Sequence, residues 1–386
     1  MMYSYNWKHV LIGLLFVRMS QALIVYFAPG EFDISSTILF NQYASKSKYD
    51  TITTKILQRL AAWDSVYFLK LVMEGISYEH EWVFCPLWWR VMRVVKIKFN
   101  LDVYDVLLAF IIINNIVTIG ICRVTYALSY KVLNDSRFAY IASMLILVQP
   151  SGIFSTISYS EPIVQLLCYS GLYLWYSRDR NIHNHLEYFL SGLLFSVAFA
   201  IRSNSLLYGI LYLYDFVFQK SVKDRILALL TGSTLALTLA YMTYLPYSLY
   251  CPERGEWCNS WSKSLVSYAQ TKYWGNGFLR YFEAKNIPLF LIAAPQLILI
   301  SLSLIKFKSV TSIRPIWIVS SVYLFLQFTT MHVQIVNRVS SFIPLHIWYV
   351  AHLLATDKEA GKWWVRWWIV WISVQTALFA MFLPPA

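Results

Sequence analysis

Apolar stretches long enough to cross a lipid bilayer recur from one end of this 386-residue chain to the other. A transmembrane helix needs about 20 consecutive, mainly apolar residues. Hydrophobic residues make up 58% of the chain and charged residues 13%, with a mean hydropathy of +0.51, whereas soluble domains carry roughly 25% charged residues. The sequence therefore predicts an all-α polytopic membrane protein, with residues 1–386 forming a single integral-membrane domain.

The apolar stretches divide into eleven candidate spans, several of which are shorter than a full crossing. They cover residues 8–27, 103–122, 138–150, 161–176, 188–201, 205–218, 226–246, 288–305, 315–330, 338–355 and 364–383. Segments 188–201 and 205–218 have only 14 residues each. A helix of about 14 residues reaches only about 21 Å, so these two segments are tilted, broken or re-entrant helices. We therefore expect nine to eleven transmembrane helices, the first of them an uncleaved signal anchor.

The distribution of lysine and arginine predicts the orientation of these spans, because short cytosolic loops are enriched in both residues. Fourteen cations lie in the connections on one side of the membrane, against only Arg202 and Arg338 in the short connections on the other side. The fourteen are Arg123, Lys131, Arg137, Arg178, Arg180, Lys220, Lys223, Arg225, Lys306, Lys308, Arg314, Lys358, Lys362 and Arg366. That side is predicted to be cytosolic, so the long polar segments 28–102 and 247–287 become lumenal loops.

Several classes of protein are disfavoured by the sequence. The net charge of +12 is explained by the cytosolic connections and does not indicate nucleic-acid binding. The chain has no P-loop, no dinucleotide fingerprint and no HExxH motif, and its five cysteines have no metal-binding spacing, so we expect neither cofactor nor metal. Cys251 and Cys258 in the second lumenal loop form a disulfide or remain two free thiols.

Asp64 is the candidate catalytic residue, because it lies in a mostly apolar stretch of the first lumenal loop, residues 60–71. If this stretch is a helix, Asp64 shares a face with the residues three, four and seven positions away. They are Leu60, Tyr67, Phe68 and Leu71. A carboxylate on an apolar face at a membrane surface is costly unless it has a function. A helix cap or a surface ion pair is the alternative.

Two arginines on the predicted lumenal side are candidates for binding phosphate. Arg202 lies between two short apolar runs, and Arg338 lies at the start of a span. The guanidinium group matches phosphate oxygens with paired donors, although either arginine could instead neutralise a helix end. Because both lie on the same predicted side as Asp64, the sequence favours a functional role.

A third short segment on this side, residues 149–161, is rich in hydroxyl groups and ends at Glu161. Hydroxyl and carboxylate groups could bind the hydroxyls of a sugar. A plain turn, with Glu161 at the start of the next helix, explains much of the same pattern. Together with Asp64 and the two arginines, the segment suggests group transfer from a lipid phosphate.

Six groups of residues match a known family in the same order along almost the whole chain. They are Trp63-Asp64 with Phe68; Phe84-Cys85-Pro86; Gln149-Pro150-Ser151-Gly152-Ile153-Phe154 with Tyr159-Ser160-Glu161; Arg202-Ser203-Asn204; Gly277-Phe278-Leu279-Arg280-Tyr281-Phe282; and His332-Val333-Gln334 with Arg338. On these residues the chain resembles the PIG-V-like GPI mannosyltransferase 2 family. It departs from the family pattern at Ala62, where arginine is usual, and at Cys85, where a second phenylalanine is usual.

The resemblance implies a GT-C-class glycosyltransferase in the endoplasmic reticulum membrane, with two large lumenal loops. Such an enzyme takes mannose from dolichyl-phosphate-mannose and adds it to the GPI-anchor precursor lipid as the second mannose, in α1,6 linkage. A small membrane partner subunit is also implied, besides the surrounding lipids. Carried over onto this sequence, the candidate substrate-binding residues beside the catalytic Asp64 are Trp63, Glu161, Arg202, Asn204, His332 and Arg338.

The chemistry of such a donor fits the residues. A β-linked donor and an α-linked product require inversion in one displacement, so a single general base, Asp64, is enough. Arg202 and Arg338 would stabilise the departing phosphate without a metal. Two other functions remain open, namely another dolichyl-phosphate-mannose-dependent transferase and a polytopic transporter or flippase. A transporter predicts polar groups near the bilayer midplane, whereas this chain concentrates them at one face.

The orientation is tested by glycosylation, since acceptor sequons are modified only on the secretory side. The single sequon, at Asn134, lies in a predicted cytosolic connection and should never be glycosylated. A sequon engineered near Ser262, within 247–287, should be modified if it is accessible, giving a gel shift that endoglycosidase removes. A glycan on Asn134, or on a tag at the 306–314 connection, would invert the topology.

Overall fold

The computed structural model describes residues 5–44, 47–84, 86–177 and 185–385. Three residues used in the sequence analysis lie outside these ranges: Arg178 and Arg180, which are predicted to be cytosolic, and Cys85 of the family pattern. Within the described ranges the chain is helical throughout and contains no β-strand. The predicted all-α class is confirmed.

The described part of the chain contains seventeen α-helices, joined by turns and short 3₁₀ segments. They are α1 Trp7–Phe27, α2 Ser35–Tyr43, α3 Thr51–Arg59, α4 Asp64–Met73, α5 Pro86–Phe99, α6 Val103–Leu133, α7 Ser136–Leu145, α8 Glu161–Trp175, α9 His185–Ile201, α10 Gly209–Phe218, α11 Val222–Tyr250, α12 Leu265–Lys272, α13 Ile287–Phe307, α14 Arg314–Thr330, α15 Val336–Val339, α16 Leu345–Thr356 and α17 Lys358–Ala380.

Each of the eleven predicted spans coincides with helical structure, but few of these helices are long. Among the described residues, α1, α6, α11 and the segment Ala284–Phe307 are long and apolar enough to cross a membrane alone. Val333–Phe342 and Leu345–Thr356, bent by 81°, would make a fifth span if they cross as one. By length and composition alone, the described residues thus contain four or five candidate spans, since many of the other apolar helices are shorter. The number of nine to eleven transmembrane helices stays a prediction.

The chain divides into two compact units. The first contains residues 1–75, 87–166 and 337–386, and the second contains residues 76–86 and 167–336.

The predicted lumenal segment 28–102 is not an irregular loop, since helices α2 to α5 lie within it. Its lumenal location, and that of 247–287, stays a prediction.

In the first unit, Arg59 fixes the end of α3 against the end of α1. Its buried guanidinium donates hydrogen bonds to the carbonyl oxygens of Val25, Tyr26 and Ala28 at 2.9, 3.2 and 2.5 Å. Carbonyl groups in the last turn of a helix have no partner within the helix and carry partial negative charge, so a cation stabilises them. This contact sets the position from which the chain turns towards Asp64.

In the second unit, Cys251 and Cys258 form a disulfide, which confirms one of the two predicted states of this pair. Their Cα atoms are 5.7 Å apart, within the usual range for a disulfide. Around it lies a buried cluster of Trp82, Trp257 and Leu265, which we call the disulfide core. A small apolar cluster and a cross-link together order a segment that lies between helices.

We expect digests of the protein, purified without reductant, to contain Cys251 and Cys258 in one cross-linked peptide, since the backbone already brings the two residues to bonding separation. Mass spectrometry before and after reduction provides the measurement. The buried Cys122 and Cys168 are the internal control and should react with an alkylating agent only after unfolding. Free thiols at both 251 and 258 would contradict the assignment.

Candidate active site

A turn at residues 61–63 separates α3 from α4 and places Asp64 at the first position of α4. Trp63 has φ 54° and ψ −130°, a conformation that costs a residue other than glycine about 1–3 kcal/mol. Its indole Nε1 donates a hydrogen bond to the carbonyl oxygen of Leu383 at 3.1 Å, which helps to hold the turn. The prediction that Leu60 and Asp64 share one helix face is therefore wrong, because Leu60 caps the carboxyl end of α3 and Asp64 begins α4.

Asp64 lies where its charge and its backbone are both stabilised. A carboxylate in the first turn of a helix interacts favourably with the positive end of the helix dipole. The backbone N–H of Asp64 donates a hydrogen bond to the hydroxyl oxygen of Tyr159 at 3.1 Å. Phe68 and Leu71, which follow it in the same helix, are buried, whereas Tyr67 is exposed. The Asp64 side chain remains 30% exposed, so a substrate can reach it.

Arg338 joins the two candidate carboxylates of this unit. Its NH1 group donates a hydrogen bond to Oδ2 of Asp64 at 2.9 Å, and its Nε lies 3.7 Å from Oε1 of Glu161. The side chains of Arg338 and Glu161 are only 15% and 2% exposed. Charges shielded from water interact more strongly, but the loss of one partner leaves a buried charge uncompensated. We call these residues the Asp64–Arg338–Glu161 cluster.

Aromatic rings enclose the guanidinium of this cluster. The Cζ atom of Arg338 lies 5.1 Å from the ring centre of Phe154 and 5.2 Å from that of Tyr159, within the range of cation–π attraction. Phe379 packs edge-on against both rings. Burial and, next, the nearby Asp64 carboxylate raise the pKa of Tyr159 well above its usual value, so its phenol stays neutral. These rings limit the directions in which Arg338 can move.

The segment that supplies Phe154 and Tyr159 is anchored on α17. The amide of Gln375 donates a hydrogen bond to the carbonyl oxygen of Pro150 at 3.1 Å and accepts one from the backbone of Ile153 at 3.1 Å. Gly152 has φ +43° and lies so close to Gln375 that a Cβ atom would collide with the amide. Glycine is required at this turn for both reasons.

The hydroxyl groups of residues 149–161 do not form an open sugar-binding surface. Ser151, Ser158 and Ser160 are buried, and Ser158 donates a hydrogen bond to the hydroxyl oxygen of Ser65 at 2.8 Å. The turn interpretation therefore holds for them, since a buried hydroxyl serves packing and backbone pairing. Glu161 begins α8, as that interpretation requires, and also contributes to the charged cluster.

Arg202 and Asn204 lie in the second unit, at a break between α9 and α10. The predicted interruption of the two apolar runs is confirmed, because a 3₁₀ segment, Ser203–Tyr208, follows Arg202. The backbone N–H of Arg202 donates a hydrogen bond to the carbonyl oxygen of Ala198 at 2.8 Å, and the side chains of Arg202 and Asn204 are half-buried. A cation at the carboxyl end of α9 is favourable for the helix itself.

His332, also in the second unit, contacts another stretch of the family pattern. Its ring stacks on Tyr281 with centres 4.6 Å apart, and its Nε2 lies 2.6 Å from the carbonyl oxygen of Trp274. Tyr281 in turn donates a hydrogen bond to Oε1 of Gln334 at 2.9 Å. The structure thus joins the stretches 277–282 and 332–334, which the sequence analysis treated as separate.

Two features of the site were missed by sequence reasoning. Tyr159 and Phe154 were not among the predicted site residues, although both belong to the quoted family pattern. Arg338 was predicted to bind phosphate, whereas its observed partners are Asp64 and Glu161. The available signal for Tyr159 was its place two positions before the carboxylate of Glu161.

Across the described ranges, no group of three His, Cys, Asp or Glu side chains lies close enough together to hold a metal ion.

Comparisons with known proteins agree on one family. A family model described as Mannosyltransferase (PIG-V) matches residues 8–316 and 308–386. GPI mannosyltransferase 2 of Candida albicans is 34% identical, covering 98% of this chain and 100% of its own length, and that of Saccharomyces cerevisiae is 32% identical, covering 96% and 97%. The solved oligosaccharyltransferase of Archaeoglobus fulgidus matches with a TM-score of 0.42 and 11% identity over 91% of this chain and 52% of its own, which is too distant to assign the fold.

Replacing Arg338 with glutamine should lower stability strongly, because Glu161 would remain buried without its cation; such a loss costs about 3–5 kcal/mol. Thermal melting of the purified protein in detergent is the measurement. The double variant Arg338→Gln, Glu161→Gln should recover part of the loss. The matched control is Lys285→Gln, which removes an exposed ion pair with Glu283 and should change little. Equal melting of Arg338→Gln and this control would contradict the cluster.

Proposed function

The chain belongs to the PIG-V mannosyltransferase family, and on that premise we propose that it transfers mannose from dolichyl-phosphate-mannose to the GPI-anchor precursor lipid. The transfer adds the second mannose, in α1,6 linkage, on the lumenal side of the endoplasmic reticulum membrane. The observation that carries this proposal is the Asp64–Arg338–Glu161 cluster, in which residues of several family motifs meet around one partly exposed carboxylate.

The proposed reaction is a single displacement at the anomeric carbon of mannose. The acceptor hydroxyl oxygen forms a bond to that carbon, the bond from the carbon to the phosphate oxygen breaks, and dolichyl phosphate leaves with the electron pair. Asp64 takes the proton of the acceptor hydroxyl as general base. Arg338 donates to Oδ2 of Asp64, which leaves Oδ1 to face the acceptor.

Arg338 acts in this proposal by holding the base in place. A guanidinium that contacts two carboxylates has a well-defined position, and its aromatic neighbours restrict it further. A base held in one orientation needs less reorganisation when the proton moves. Glu161, which is almost fully buried, then serves to fix Arg338 rather than to contact the sugar.

The donor phosphate needs positive charge as it departs, and Arg202 is our candidate to provide it. It occupies a helix break together with Asn204, where the backbone is not committed to a continuous helix. Trp63 and His332 remain candidates for contacts to the sugar or the lipids. A small membrane partner subunit, implied by the resemblance to fungal members, belongs to the same proposal.

Two other functions predict different observations. A transferase that uses the same donor with another acceptor would keep the Asp64 chemistry and differ in the lipid that accumulates when the protein is lost. A transporter or flippase would not need a partly exposed carboxylate at the start of a short helix, oriented by an arginine. The first alternative is decided by analysis of the accumulated lipid, and the second by mannose transfer with the purified protein.

The Asp64→Asn variant tests the base directly. Asparagine keeps the size of the side chain and an oxygen that can accept the hydrogen bond of Arg338, but it cannot take the proton. The rate of mannose transfer should fall about 10²–10⁴-fold, measured with purified protein, dolichyl-phosphate-mannose and the GPI precursor.

The matched control is Asp105→Asn in the same unit, where the carboxylate pairs with Lys48 at 2.6 Å. This variant should transfer mannose at close to the normal rate. Both variants should remain in the membrane and elute from gel filtration like the parent protein. A transfer rate for Asp64→Asn near that of the parent would exclude Asp64 as the base.

A further inference from the structure

A polar cavity of about 290 Å³ lies in the second unit, and none of its lining residues belongs to the Asp64–Arg338–Glu161 cluster. Its walls come from the 3₁₀ segment Glu79–Val83 with the two residues before it, from the end of α11 and the loop after it, and from the residue after α12. The lining residues that matter for its chemistry are Tyr78, Glu79, His80, Tyr250, Arg254 and Tyr273. We call it the tyrosine cavity.

Three rings form one side of this cavity. The rings of Tyr78 and His80 are stacked, with an interplanar angle of 12° and centres 5.8 Å apart, and the ring of Tyr273 lies 5.2 Å from that of His80. Tyr78 and Tyr273 are 62% and 49% exposed. Partly exposed tyrosine rings beside polar groups suit a ligand that has both an apolar face and hydroxyl groups, as a sugar ring does.

The polar groups of the cavity carry opposite charges. Tyr273 donates a hydrogen bond to Oε1 of Glu79 at 2.7 Å, and this bond, with a smaller effect of burial, raises the pKa of Tyr273 to about 12. The phenol therefore stays protonated and keeps the carboxylate in place. Arg254 supplies a guanidinium, whose paired N–H donors fit a phosphate oxygen or neighbouring hydroxyls.

Hydrogen bonds and the disulfide fix the segments that line the cavity. The buried carboxylate of Glu81 accepts hydrogen bonds from the backbone N–H groups of Ser77 and Tyr78 at 2.8 and 3.0 Å, which fixes the segment that carries the rings. Trp82, a member of the disulfide core, donates a hydrogen bond to the hydroxyl oxygen of Tyr250 at 3.2 Å. Arg254 lies within the loop that the disulfide closes. Groups held in this way lose little freedom on binding.

We propose that the tyrosine cavity binds the polar head of the acceptor lipid, a glycan attached to phosphoinositol, as an inference that rests on the proposed function. The exposed tyrosine rings would pack against a sugar face, Glu79 would accept from its hydroxyls, and Arg254 would bind the phosphate. A cavity for a hydrocarbon chain would instead have apolar walls without a carboxylate and a guanidinium. The cavity would thus select the acceptor, while Asp64 performs the transfer.

The test compares Glu79→Gln and Arg254→Gln with a matched control, Glu256→Gln. In the same unit, Glu256 also accepts a hydrogen bond from a tyrosine, Tyr268, at 3.0 Å, but it does not line the cavity. Loss of one charged hydrogen bond should raise the KM for the acceptor about tenfold in each cavity variant. The kcat and the KM for dolichyl-phosphate-mannose should stay as in the parent protein, since neither side chain has a role in the proposed displacement at the anomeric carbon.

Binding is measured separately with the inositol-phosphate glycan that phospholipase C releases from the acceptor lipid. Tryptophan fluorescence should report it, because Trp274 lies 6.1 Å from the ring of His80. The parent, Asp64→Asn and Glu256→Gln should bind the glycan equally, and the two cavity variants should bind it about tenfold more weakly. Cavity variants that titrate like Glu256→Gln would overturn the inference while leaving the proposed function intact. A parent protein that binds the glycan but transfers no mannose would instead overturn the proposed function.

Discussion

The local structure around Asp64 depends on one guanidinium group. Arg338 contacts Asp64, 274 positions earlier in the chain, and Glu161, and so it connects the beginnings of α4 and α8 with α15. Without the cation, two carboxylates would approach each other in surroundings of low polarity, where repulsion is strong. The three segments therefore have one charge-balanced arrangement, and the rest of the unit is packed so as to preserve it.

The residues around the cluster strengthen the attraction between Arg338 and the two carboxylates. Phe154, Tyr159 and Phe379 exclude water from one side of the guanidinium, which strengthens its attraction to both carboxylates. The segment that carries the first two rings is held by Gln375 on α17, so a helix near the end of the chain sets the position of groups beside Asp64. Packing and electrostatics therefore depend on each other here. The rings can exclude water from the guanidinium without a large desolvation cost only because its charge is paired with carboxylates.

Hydropathy located the helices well, because burial in a bilayer or in the protein requires runs of apolar residues. It also marked Asp64 and Arg338, because charges in or beside such runs are costly, whereas Glu161 was marked by the hydroxyl-rich segment that it ends. It did not show that these three residues meet, since a contact over 274 positions has no local pattern. The turn before Asp64 was missed because tryptophan, unlike glycine or asparagine, does not signal a positive φ. For the serines of 149–161 the sequence left a sugar-binding surface and a plain turn open, because their burial depends on packing against distant parts of the chain.

The contact between Trp63 and the carbonyl oxygen of Leu383 has a consequence for the tolerance of the chain to change. A residue next to the proposed base relies on a backbone atom 320 positions later in the chain, and Phe382 packs against the same indole ring. Deletions, frameshifts or fusions that disturb positions 382 and 383 would therefore behave as lesions of the active site. Sequence changes at these positions should be under selection for catalysis, even though they carry no chemical group that takes part in it.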